Sequence, residues 1–169
     1  FLLTLLVFFV KVSILAQQTT PLASITKPKL TITLPKHQLG SVTFSPDGNK
    51  VGFTFENNLY YTDLSTNKST QITSDGKWNN IINGMCDWVY EEEFEFSKAF
   101  EWTADSKHIA YLQFDERAVK EYVMQQWGDS LYPKNYTFKY PKAGEINSTM
   151  KAFTVNIETR KQDSQRGQD

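Results

Sequence analysis

Two stretches of this chain repeat one another, and the repetition limits its fold more than any other feature. Phe44-Ser45-Pro46-Asp47-Gly48-Asn49-Lys50-Val51-Gly52-Phe53 aligns with Trp102-Thr103-Ala104-Asp105-Ser106-Lys107-His108-Ile109-Ala110-Tyr111. Each runs through an aromatic, a turn carrying Asp, a basic residue and a small-apolar strand. Thr62-Asp63-Leu64-Ser65-Thr66-Asn67 aligns in the same way with Val155-Asn156-Ile157-Glu158-Thr159-Arg160. From Leu30 onward apolar residues alternate over short runs bounded by Pro, Gly, Asn and Asp, the pattern of half-buried strands, and helical periodicity is almost absent. Strands are expected at Leu39–Phe44, Val51–Phe55, Leu59–Leu64 and Thr70–Thr73. Their joints are Pro46-Asp47-Gly48, Glu56-Asn57-Asn58 and Ser65-Thr66-Asn67-Lys68; Gly and Asn tolerate positive φ, and Asp bonds its own backbone. Four strands recurring as a unit of about 45 residues suggest propeller blades. The expected fold is all-β: a partial β-propeller of roughly two blades, with the tyrosine-rich segment 115–147 leaving the second unit as an extended two-stranded arm. Two similar hairpins in a β-sandwich are the alternative.

Size and charge bound the function. At roughly 100 to 200 residues per domain, a chain of 169 has no room for a large sensing domain and a hydrolase domain together. Its 18 basic and 19 acidic side chains give a net charge of −1, so no global field draws it to nucleic acid or anionic lipid. The single cysteine, Cys86, cannot form an internal disulfide and reads as a small buried apolar residue. Neither His37 nor His108 has a second His or Cys at metal spacing, so neither a metal nor another cofactor is expected.

The ends of the chain differ from its middle. Phe1 to Ala16 are nearly all apolar, interrupted only by Lys11, and polar Gln17 follows at once. A run this short, against the roughly 20 residues that span a bilayer, reads as a secretory signal core, with Ile14 and Ala16 forming an imperfect cleavage site. A membrane anchor is the alternative. With Phe at position 1, the basic start of such a signal is expected upstream. The expected organisation is a signal peptide at 1–16, a linker or remnant of upstream blades at 17–38, the propeller part at 39–161 and a polar tail at 162–169. The expected location is outside the cytoplasm: periplasmic, secreted or on the cell envelope. Asn67-Lys68-Ser69, Asn135-Tyr136-Thr137 and Asn147-Ser148-Thr149 are glycosylation sequons only in a source that glycosylates exported proteins.

Charge is unevenly placed. Residues 91–129 hold ten acidic and four basic side chains, a local net of −6 centred on Asp87-Trp88-Val89-Tyr90-Glu91-Glu92-Glu93-Phe94-Glu95-Phe96. Crowded carboxylates are kept either fully solvated or opposite a cation. A solvated acidic turn of helix is the plainer reading of such a run. Against it stand the aromatics Trp88, Tyr90, Phe94 and Phe96, and the position of the run between two repeat units, where propeller loops form the binding face.

Asp87 to Phe94 closely resembles the double-glutamate motif of the dipeptidyl peptidase IV family, serine peptidases of the prolyl oligopeptidase clan. The resemblance continues through Tyr111-Leu112-Gln113-Phe114-Asp115, Glu121-Tyr122, Leu131-Tyr132-Pro133-Lys134 and Tyr140-Pro141-Lys142-Ala143-Gly144-Glu145-Ile146-Asn147, and so covers about residues 39–161. It implies that Glu92 and Glu93 grip the free α-ammonium of a peptide substrate, supported by Asp87, Trp88, Tyr90 and Glu91. Two carboxylates on one ammonium make charge-assisted hydrogen bonds and reject a blocked amine, which restricts cleavage to a fixed distance from the N-terminus. It also implies a homodimer with the arm at about 115–147 near the partner subunit, where tyrosines supply contact area at little entropic cost. An arm covering an edge strand of its own chain is the alternative.

The family's Gly-x-Ser-x-Gly elbow, with its Asp and His, belongs to a C-terminal α/β-hydrolase domain, and no such elbow occurs in this sequence. Alone, the chain is expected not to hydrolyse peptides. The stretch from Gln17 to Gly40 is too short for the blades the family places before the motif, so the family's substrate-binding arginine has no counterpart to assign. Two rivals remain open: a propeller-like binding or scaffold module without peptidase activity, and a GDSL-type esterase. The latter rests on Gly128-Asp129-Ser130-Leu131 with Asp105 and His108, but the order of serine and Asp-x-x-His is reversed from that family's.

Overall fold

The computed structural model describes residues 39–165. The expected signal segment and linker lie outside the described residues, as do the last four residues of the chain. The first sheet is a four-stranded antiparallel meander of β1 (Leu39–Phe44), β2 (Lys50–Phe55), β3 (Asn58–Asp63) and β4 (Lys68–Gln71), paired in that order. The second sheet contains β5 (Ile81–Asn83), β6 (Phe100–Trp102), β7 (His108–Asp115), β10 (Thr149–Asn156) and β11 (Gln162–Gln165). Outward from β7 the order is β10 and then β11, while β5 and β6 both pair with its other side. Between β7 and β10 runs the arm, β8 (Glu121–Gln126) paired with β9 (Lys134–Lys139). One helix, α1 (Trp88–Phe94), lies between β5 and β6. The described residues form an all-β, open, partial propeller of two blades with a two-stranded arm.

The sequence repeat is reproduced bond for bond. In the first blade Ser45 N–H donates to the Lys50 carbonyl at 2.9 Å, Lys50 N–H to Ser45 Oγ at 2.9 Å and Asn49 N–H to Asp47 Oδ1 at 3.0 Å. In the second, Thr103 N–H donates to the His108 carbonyl at 3.0 Å, His108 N–H to Thr103 Oγ1 at 3.0 Å and Lys107 N–H to Asp105 Oδ1 at 3.0 Å. The Ser45 hydroxyl, with the Asn49 N–H, holds the Asp47 carboxyl down at about 2, and Thr103 lowers Asp105 in the same way. The second repeated turn matches too. Asp63 Oδ1 accepts from Ser65 and Thr66 N–H, as Asn156 Oδ1 accepts from Glu158 and Thr159 N–H. Each turn closes on a non-glycine residue at positive φ, Asn67 at 55° and Arg160 at 59°.

The blades share one core. Leu59 of the first packs with Phe100, Trp102, Ile109, Tyr111, Val155 and Ile157 of the second. Polar links close the seam: Trp102 Nε1 donates to the Thr43 carbonyl at 3.2 Å and Asp47 N–H to Ser106 Oγ at 3.0 Å. A second cluster of Ile82, Cys86, Ala99 and Phe114 lies beneath α1, with Met85, Tyr90 and Leu112 against it.

Three sequence expectations are corrected. β3 and β4 each begin before the expected positions, because Asn58 and Lys68 belong to ladders that their turns already close. The blade continues past residue 161: Gln162–Gln165 pairs with Ala152–Val155, since an outer strand needs backbone partners and not apolar side chains. The acidic run does not lie between the repeat units. It interrupts the inner strand of the second one.

Candidate functional site

β5 and β6 are two pieces of one inner strand. β5 pairs with Gln113–Asp115 and β6 with Ile109–Tyr111, so both lie along β7 in one line. At Leu112 the chain leaves the sheet and later returns. Gly84 N–H donates to the Leu112 carbonyl and Leu112 N–H to the Ala99 carbonyl, both at 2.9 Å, while Ala99 N–H reaches the Gly84 carbonyl at 3.0 Å. A short stem rises from there, with Met85 opposite Lys98 and Cys86 N–H donating to the Ser97 carbonyl at 3.2 Å. Residues 87–96 form its tip.

The tip is helical because Asp87 caps it. Asp87 has extended backbone angles, and its Oδ1 accepts from Tyr90 N–H at 3.0 Å, satisfying one of the otherwise unpaired donors of the first turn. The helix ends at Glu95 in the left-handed region, φ 51°, where its N–H and that of Phe96 return to the Tyr90 carbonyl. Tyr90 anchors the tip to the blade, its ring 5.0 Å from that of Phe114 and edge-on to it. Trp88 anchors it to the arm, 4.4 Å from the Tyr140 ring. A cleft of about 500 Å³ opens there, lined by Trp88, Tyr122, Met124, Phe138, Tyr140 and Lys142.

The expected site residues therefore divide. Asp87 is buried, Trp88 and Tyr90 are half-buried and hold the helix, and Glu91, Glu92 and Glu93 stand exposed on it. The aromatics after the glutamates do not follow the expectation of burial: Phe94 is 66% and Phe96 40% exposed, because the tip has left the sheet by then. Among the described residues no ion pair includes a carboxylate of α1. The last turn carries no basic residue, so its carboxylates face the partial negative charge of the helix C-terminus uncompensated. Glu92 and Glu93 are successive residues, about 100° apart around the helix, and together flank one edge of it. Such an edge favours a compact cation.

The rival serine site does not assemble. His108 Nε2 lies 3.1 Å from Asn156 Nδ2 and its Nδ1 3.8 Å from Asp105, whereas Ser130 is in the arm's connecting loop and accepts from Tyr132 N–H. Among the described residues no group of three or more His, Cys, Asp or Glu side chains is arranged to hold a metal. Sequence reasoning missed two residues of the site's foundation, Glu116 and Ser148. Ser148 Oγ donates to Asp87 Oδ2, and Glu116 is buried beside that pair.

Known proteins resemble this chain in sequence and fold. The chain is 40% identical over 119 residues to bovine (Bos taurus) dipeptidyl peptidase 4, covering 69% of this chain and 16% of that one. To the rat (Rattus norvegicus) protein named inactive dipeptidyl peptidase 10 it is 37% identical over 111 residues, 65% of this chain and 14% of that one. The crystal structure of Porphyromonas gingivalis dipeptidyl peptidase 4 superposes with a TM-score of 0.74 at 41% identity, over 80% of this chain and 19% of that one. The chain thus spans less than a fifth of the proteins it matches. A family model, the dipeptidyl peptidase IV (DPP IV) N-terminal region, matches residues 12–168, including the strand beyond residue 161, and the chain belongs to that family.

Proposed function

We propose that this chain is the substrate-recognition part of an exported dipeptidyl peptidase IV-like serine peptidase that releases N-terminal dipeptides. The observation that carries the reading is the exposed run of Glu91, Glu92 and Glu93 on a stem-held helix, with no cation among the described residues paired to it. Glu92 and Glu93 bind the α-ammonium of the peptide; Asp87, Trp88, Tyr90 and Glu91 position them. Hydrogen bonds involving charged groups contribute about 1.5–3 kcal/mol each, and an acylated amine offers neither the charge nor the donors. The nucleophile, its Asp and its His are supplied by an α/β-hydrolase domain outside these residues, since no Gly-x-Ser-x-Gly occurs in them. The peptidase works as a homodimer, with the tyrosine-rich arm near the partner subunit. No helix among the described residues is long and apolar enough to cross a membrane.

In the full-length enzyme, replacing both residues, Glu92→Ala with Glu93→Ala, is expected to lower kcat/KM for a free-amine dipeptidyl substrate about a hundredfold or more. Unchanged activity in that double variant sinks the clamp. A second reading, a binding module without peptidase activity, is favoured by one observation: a relative as similar as the rat protein is named inactive. The downstream reading frame separates the two. A Gly-x-Ser-x-Gly elbow followed by Asp and His supports the peptidase, and a serine-less elbow supports the binding module.

A further inference from the structure

Beneath α1 the capping Asp87 has a second buried acidic residue near it, Glu116, which the substrate site as described does not use. Asp87 is 4% and Glu116 7% exposed. They come together through strand register. Thr149 is opposite Asp115 in the β7–β10 ladder, so one step beyond it Ser148 and Glu116 leave the ladder side by side, and Ser148 Oγ donates to Asp87 Oδ2. Glu116 is fixed by its own backbone, its N–H donating to the Asn80 carbonyl at 2.8 Å and its carbonyl accepting from Val119 N–H at 2.9 Å. No hydrogen bond or ion pair among the described residues engages its carboxyl group.

We propose that Glu116 is a positioning residue: through the Asp87–Ser148–Glu116 cluster it holds the N-cap of α1, and so the placement of Glu92 and Glu93. The functional meaning rests on the ammonium clamp; the structural role does not.

The charged groups around it make its protonation state matter. From the stem come Asp87 and Cys86, whose thiol burial pushes up to about 12 and so keeps neutral. From β9 comes Lys139, whose Nζ donates to the Val119 carbonyl at 2.7 Å and lies 3.7 Å from Glu121 of β8. Arg117 is occupied by Asp115, and Lys120 by Glu145. Burial first, and then the Asp87 charge, raise the Glu116 carboxyl to about 7 against the pull of Lys139. In the unfolded chain it ionises near 4.5. Between those values the native state binds more protons than the unfolded one, so the stability of this region falls as pH rises from about 4.5 to about 7 and stays low above. Neutral Glu116 adds no charge beside the cap; ionised, it places a second negative charge there.

Hydrogen exchange of residues 87–96 in the full-length enzyme tests this, comparing wild type with Glu116→Gln at the same pH so that intrinsic rates cancel. Expected are equal exchange at pH 5 and about tenfold faster exchange in wild type at pH 8.5. A wild-type to variant ratio that stays flat across pH overturns the proposal. Ser148→Ala leaves both carboxyls in place and is expected to speed exchange of α1 at both pH values; unchanged exchange also overturns it. The KM ratio of the two enzymes on a free-amine dipeptidyl substrate cancels titration of the substrate amine and is expected to follow the exchange ratio. If exchange follows pH as expected while the KM ratio does not move, the cluster stands and the clamp reading falls.

Discussion

Asp87 carries two duties that its place in the sequence hinted at only in part. An acidic residue before a helix is a common cap, but the reciprocal Glu expected three positions on is absent: Tyr90 stands there. Its side chain bonds the Tyr90 N–H with one oxygen and Ser148 with the other, tying the helix to the root of β10, 61 residues away. Replacing it by Ala removes both bonds and is expected to lower unfolding free energy by about 1–2 kcal/mol, measured as a shift in the denaturant midpoint of the full-length protein. Asp87→Asn keeps an acceptor for Tyr90 and is expected to lose less. The glutamates themselves were legible as residues because their crowding is costly without a cation. Glu116 was not, because nothing near it in sequence marks a lone Glu as buried; the β7–β10 register places it there.

The stem is the element on which the site depends, and Gly84 is its pivot. Gly84 sits at φ 75°, and a Cβ there would lie 3.0 Å from Thr54 Cγ2 and 3.3 Å from Leu59 Cδ1 of the first blade. Gly84→Ala thus meets a backbone cost of about 1–2 kcal/mol and presses on the neighbouring blade. The expected outcome is a stability loss of at least that size, seen in thermal unfolding, together with a raised KM for free-amine substrates. A variant with wild-type melting and KM contradicts the pivot role. The strands of the first blade were legible within a residue or two from their alternation and turn residues, as at Val51 to Phe55. The split of the inner strand into β5 and β6 was not, because three-residue strands are too short to show a period, and they exist only by pairing with β7.

At the scale of the whole molecule, two blades make an open sheet stack. Among the described residues β1 and β4 end the first sheet and β11 ends the second, and the arm presents Trp127 and Leu131 at 71% and 92% exposure. Open strand edges beside exposed apolar groups template association. Residues 39–165 expressed alone are expected to self-associate and to unfold without a cooperative transition, by sedimentation and calorimetry. A monomer with a sharp transition shows that the two blades suffice. The sequence by itself determined that blades form, through a repeat whose turn residues dictate the same hydrogen bonds twice, and that a concentrated negative charge must stand either in solvent or opposite a cation. Tertiary structure alone decided where that charge stands and what holds it. Turn chemistry and charge crowding act between residues close in sequence, whereas an interrupted inner strand along β7, a stem against the first blade and a buried Asp87–Ser148–Glu116 cluster at the end of the β7–β10 ladder are contacts between distant residues that arise only once the chain has folded.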